Sequence, residues 1–77
     1  MTTRTAAHAL NESSVAREYF HTLTTILGAD PVIEAGIQSY DLNWGVFDPE
    51  TQDVLGAGET VAEALADALR TVRGWKR

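Results

Sequence analysis

The chain has 77 residues, with 11 Asp and Glu against 6 Lys and Arg and a formal net charge of −5. Its 44% hydrophobic content is too high for a disordered acidic tail, and its length leaves room for one domain only. The absence of cysteine excludes disulfides, Fe–S clusters, thiolate zinc sites and thiol nucleophiles together.

A chain this short buries only about 60% of the surface its unfolded form exposes, so its core has to be compact. No apolar run approaches the roughly 18–20 residues that span a bilayer. The stretch Met1–Leu10 carries one Arg and no apolar segment of signal-peptide length, which points to a cytoplasmic protein.

Residues 1–10 are Thr/Ala-rich without a firm period and read as a flexible N-terminus ahead of a single domain over 11–77. Asn11, Ser13 and Ser14 each offer an oxygen to the orphan amides of a first helical turn. The helix that follows places Val15, Tyr19, Leu23, Ile26 and Leu27 on one apolar stripe. Gly28 suits the left-handed position after the last turn, and Pro31 stops any continuation.

The period then changes. Ile33, Ala35 and Ile37 alternate with Glu34, Gly36 and Gln38, as a half-buried strand requires. Tyr40, Leu42, Trp44 and Val46 alternate with Asp41, Asn43, Gly45 and Phe47 in a second strand. Asp48-Pro49-Glu50-Thr51-Gln52-Asp53 is a turn signal, because Pro fixes φ and the preceding Asp can accept from the loop backbone. Val54 to Ala57 returns as a short third strand.

Thr60-Val61-Ala62-Glu63 reads as a capping box, with the Thr oxygen serving the Glu63 amide and the Glu carboxylate reaching back to the Thr60 amide. Val61, Leu65, Ala68, Leu69 and Val72 form the stripe of a second helix. Arg70 and Arg73 complement its negative end, Gly74 closes it, and Trp75 is placed to fold back on the core. The order α-β-β-β-α predicts an α+β fold: a three-stranded antiparallel meander with both helices on one face. Val32, Phe47 and Val54 on the opposite face support the alternative of one helix on each face.

The chemical inventory is thin. Metal ligation has only His8 and His21 to draw on, and the Asp48–Asp53 segment lacks both the ligand spacing and the central Gly of an EF-hand. His21 with Glu18 could form a base and its orienter, but no nucleophile is near in sequence, so a solvated helix face is the stronger reading. Gly56-Ala57-Gly58 stands where phosphate-cradling loops stand, yet Glu59 and Glu63 put negative charge where a phosphate would sit. A tight strand-to-helix turn is the reading kept. No enzyme and no cofactor are expected.

Charge is strongly segmented. Residues 1–28 sum to zero, residues 29–69 hold nine acids and no Lys, Arg or His, and residues 70–77 hold four cations. The basic tail, Arg70, Arg73, Lys76 and Arg77 with Trp75, reads as a helix end rather than a nucleic-acid contact. Neither helix has the Lys/Arg-rich polar face that a membrane surface attracts. An acidic surface keeps a small domain soluble, but mixed signs serve that purpose as well. A one-sided surface therefore points to a basic protein partner. The candidate protein-binding residues are Glu34, Asp41, Phe47, Asp48, Glu50 and Asp53, with Tyr40 or Phe47 as an apolar anchor.

The stretch from Trp44-Gly45-Val46-Phe47 to Gly56-Ala57-Gly58-Glu59-Thr60-Val61-Ala62-Glu63-Ala64-Leu65-Ala66-Asp67-Ala68-Leu69 resembles the C-terminal part of small phage-encoded domains of the ABA-sandwich family, covering about residues 14–72 by element order. The resemblance implies a sheet with an aromatic-rich strand closed by a Thr-x-x-Glu-Ala helix, and it implies no catalytic residues. The Gly-x-Thr-x-x-Glu-Ala segment is also similar to one in HicB-type antitoxins. In size, acidity and lack of an active site the chain is similar in kind to phage anti-defence inhibitors, including anti-CRISPR proteins. The expected function is thus a non-enzymatic inhibitor covering the basic surface of a CRISPR effector or another nucleic-acid-binding complex. Direct nucleic-acid or membrane binding is not expected. An antitoxin-like regulatory module, dimeric through a sheet edge, is the alternative.

Overall fold

The structure, a computed structural model, describes Leu10, residues 13–35 and residues 44–75. Among the described residues, five elements follow in chain order: α1 (Ser14–Leu27), β1 (Val32–Ala35), β2 (Trp44–Phe47), β3 (Val54–Gly58) and α2 (Val61–Arg73). The strands form one antiparallel sheet in the order β1-β2-β3, the meander expected from the sequence.

Of the three capping candidates, Ser13 takes the role. Its hydroxyl accepts from the Ala16 amide at 3.1 Å. At the other end Gly28 has φ 82°, and its N–H reaches the Thr24 carbonyl at 2.8 Å. By sequence alone Leu10 falls in the flexible N-terminus. Here it is half-buried against the core, and its carbonyl accepts from the Ser13 amide. Residues 1–9 lie outside the described residues.

The buried stripe of α1 differs from the expected one by one residue. Val15 is 47% exposed, while Ala16 and Leu23 are fully buried and Phe20 is half-buried. Val15 fits the helical period of the stripe by sequence alone. A small residue at the contact lets another element come closer, which is what buries Ala16. The α2 stripe holds throughout: Val61, Leu65, Ala68, Leu69 and Val72 are all buried, joined by Ala64.

The helix α2 packs most heavily on β3, and α1 lies against α2. Val46 and Trp44 point to this side and are buried, with Ile33 beside Val46. On the other side Val32 and Val54 remain 41% and 61% exposed, so neither α1 nor α2 covers that face. Both helices thus share one face, and the two-sided alternative is excluded.

The backbones of β3 and α2 approach unusually closely. A Cβ on Gly56 would sit 2.4 Å from the Ala68 nitrogen, and one on Gly58 would sit 2.7 Å from the Ala64 nitrogen. These glycines are therefore strand residues that make room for a helix backbone, not turn residues.

The capping box also closes differently. Thr60 accepts from the Glu63 amide as expected, but the Glu63 carboxylate accepts from the Glu59 amide, one residue beyond Thr60. Thr60 is extended at its cap position, which leaves the Glu59 N–H as the orphan donor within reach. Trp75, placed by the sequence on the core, is 40% exposed. Gly74 ends α2 in a right-handed conformation, with its N–H returning to the Arg70 and Thr71 carbonyls. That tight closure continues the helical path and leaves Trp75 on the surface.

Candidate functional site

The outer face of the sheet is built by alternation plus one irregularity. Val32 pairs with Phe47, and Glu34 pairs with Gly45. Between β2 and β3 the register shifts: Val46 faces Gly56, but Phe47 faces Val54, so Leu55 is an extra residue. This bulge turns Leu55 into the core at 3% exposure and leaves Val54 outward. The result is an apolar row, Val32–Phe47–Val54, running across the uncovered face.

The hairpin tip closes beside this row. The Asp48 amide donates to the Asp53 carbonyl at 2.9 Å, and the Gln52 amide donates to the Asp48 carbonyl. One oxygen of the Asp48 carboxylate accepts from the amides of Glu50, at 2.7 Å, and Thr51, at 3.1 Å. The turn role of Asp48 inferred from the Asp-Pro sequence is therefore realised. Gln52 completes the loop in the left-handed region, with φ 67°.

Val32, Glu34, Phe47, Asp48, Pro49 and Gln52 line one shallow depression of about 310 Å³. Its apolar floor comes from Val32, Phe47 and Pro49, and its charge comes only from Glu34 and Asp48. Three of the six residues singled out in the sequence, Glu34, Phe47 and Asp48, thus meet in one place. Glu50 and Asp53 are exposed on the adjoining loop and do not line it. Asp41 and Tyr40 lie outside the described residues.

The other acids divide sharply in what they do. The Asp67 carboxylate accepts from the Ala57 amide at 3.1 Å and pairs with Arg70. Glu63 accepts from the Glu59 amide, and Asp30 accepts from the Thr24 hydroxyl. With Asp48, four of the nine acids in the cation-free stretch hold backbone or side-chain donors. Glu34, Glu50, Asp53 and Glu59 have no such partner among the described residues. Glu63 and Asp67 fall within the cation-free stretch that the sequence reads as one acidic surface. The geometry commits them to the fold instead, because the strand edge and the helix start supply unpaired N–H groups beside them.

His21 and Glu18 are both exposed, and their carbonyls accept from the hydroxyls of Thr25 and Thr22 within the helix. Among the described residues no group of three or more His, Asp and Glu is placed to hold a metal ion. None of the described helices is long and apolar enough to cross a membrane. Comparison with family models, with curated proteins and with solved structures finds no match.

Proposed function

We propose that this chain is a non-enzymatic binding module that inhibits its target by covering a basic, nucleic-acid-binding surface, in the manner of small phage anti-defence proteins. The observation that carries this reading is the outer sheet face. An apolar floor of Val32, Phe47 and Pro49 is flanked by Glu34 and Asp48 and adjoins Glu50 and Asp53, with no cation among the lining residues. Apolar contact supplies an anchor, while the surrounding negative charge steers a positive partner and disfavours nucleic acid.

The test is capture of nucleic-acid-binding proteins on the wild-type chain and on a Glu34→Lys/Glu50→Lys/Asp53→Lys variant. Asp48 is left intact because its carboxylate holds the turn. The wild type should retain a basic protein at low salt, release it at high salt, and release it to competing DNA or RNA. Retention by the reversed-charge variant, or retention indifferent to salt and nucleic acid, would overturn the reading.

A further inference from the structure

The two edges of the sheet are treated differently. On β3 the N–H of Ala57 points away from β2 and is taken by the Asp67 carboxylate. That direction fixes the alternation across the sheet. Ala57 opposite Gly45 is then a pair without mutual hydrogen bonds, so Gly45 bonds to Glu34 on the other side. It follows that Ile33 and Ala35 turn their N–H and C=O groups outward, along the edge of β1 away from β2. Among the described residues nothing bonds to them there. An exposed edge of this kind is a template for another strand.

We infer that β1 receives an extended segment of the basic partner as a fourth strand, with the outer-face depression selecting its side chains. The inference rests on the acidic-surface reading given above and adds to it a binding mode. On the outer face the added strand would run beside Val32 and Glu34, which lie two residues apart. A matching segment therefore carries an apolar residue and a Lys or Arg at the same spacing, the first over Val32 and Phe47, the second beside Glu34. Backbone bonds to Ile33 and Ala35 would supply affinity, and the alternating side chains specificity.

A second copy of this chain fits the edge less well. The antiparallel register that uses Ile33 and Ala35 on both copies sets Glu34 directly opposite itself across the two-fold axis. Their Cβ atoms would lie about 5 Å apart, and like charges so placed are destabilising. Each copy also carries a net charge of −5.

The experiment uses the full chain and a synthetic peptide, Val-Thr-Lys-Thr-Val-Thr-Lys, that presents Val and Lys alternately on one face. Its control is the same peptide N-methylated at every second residue, which keeps the charge and removes the strand's edge donors. Binding and amide exchange are read by NMR. The unmodified peptide should bind at least about tenfold more tightly than the methylated one and slow exchange at Ile33 and Ala35. Ala35→Pro should abolish that difference. Ala35 is exposed and its N–H faces outward, so Pro there leaves the ladder to β2 intact. Equal, salt-sensitive binding of both peptides without protection would overturn strand addition and leave the acidic-surface reading standing. No binding of either would overturn both. Protection at Ile33 and Ala35 without peptide, rising with protein concentration alongside a doubled mass, would overturn the proposal in favour of a dimer.

Discussion

The helix side and the open side of this sheet use the same residue types to opposite ends. On the helix side, Asp67 and Glu63 each satisfy a backbone N–H that would otherwise be an orphan, and Arg70 balances Asp67. On the open side Asp48 holds the turn amides, but Glu34, Glu50 and Asp53 satisfy nothing among the described residues, although Val32 and Val54 stay exposed on that face. A carboxylate that holds a donor is explained by the fold. One that holds none, beside an apolar patch, is explained by a partner or by solubility. The comparison thus separates acids that maintain the structure from acids available for recognition, a division that net charge conceals.

The strongest way to break the comparison is to attack the helix side where it is tightest. Gly56→Ala would put a methyl 2.4 Å from the backbone nitrogen of Ala68, where no side-chain rotation can relieve it. The cost should be about 3 kcal/mol, the upper range of overpacking effects. For a domain of this size that is a large share of a total near 5 kcal/mol. Chemical denaturation measures it. A loss below about 1 kcal/mol would mean that β3 and α2 separate easily and that the glycines are incidental.

That position also shows what sequence reading reaches and what it does not. Helix ends were legible because they are local: Ser13, Gly28 and Thr60 act within a few residues of their partners. β1 and β2 were legible because alternation is local as well, and β3 because a turn signal precedes it. Gly56 and Gly58 were visible as glycines, but their reason is a helix passing over them, which no spacing within β3 reveals. The displacement from Val15 to Ala16 has the same origin, since close packing selects the small residue. The candidate site was partly legible. Alternation put Glu34 outward and left Phe47 facing away from Val46. The bulge that aligns Val54 with Phe47 depends on pairing, and pairing decided which residues share the depression.

Reversing the charge of the open side should produce the next largest effect, and in binding alone. Glu34→Lys/Glu50→Lys/Asp53→Lys should slow association with a basic partner about tenfold at low salt, equivalent to about 1.4 kcal/mol in affinity if dissociation is unchanged. Folding stability should stay within about 0.5 kcal/mol of the wild type, as for surface changes away from hydrogen-bonded groups. Stopped-flow association and a denaturant melt on the same sample decide it. A large stability loss would place these acids with Asp67 and dissolve the distinction.

Asp67→Ala offers the converse. Removing its carboxylate leaves the Ala57 amide and Arg70 without their partner, and should cost about 1 kcal/mol in stability with binding unchanged. Arg70 is well exposed, so the ion pair itself contributes little and the strand-edge hydrogen bond accounts for most of the loss. The Arg70→Ala variant separates the two contributions in denaturant melts: it should cost clearly less than Asp67→Ala. Equal losses would assign the stability to the ion pair.

The smallest effect expected belongs to the residue where the turn and the depression meet. Gln52 lines the depression and adopts φ 67°, a conformation that costs a non-glycine residue about 1 kcal/mol or more. Gln52→Gly removes that cost but loosens the unfolded chain, for a net gain of about 0.5 kcal/mol. Gln52→Asn keeps a Cβ, tolerates the left-handed region and should gain a similar amount. In a domain this small, such a gain raises Tm by about 2–4 °C. If both variants stabilise, the strain lies in the backbone and the side chain is dispensable for folding. Its position is then set by the loop, and any loss of partner affinity in the glycine variant measures recognition directly. If only Asn stabilises, the side chain supports the turn, and Gln52 joins Asp48 among the residues that serve the fold.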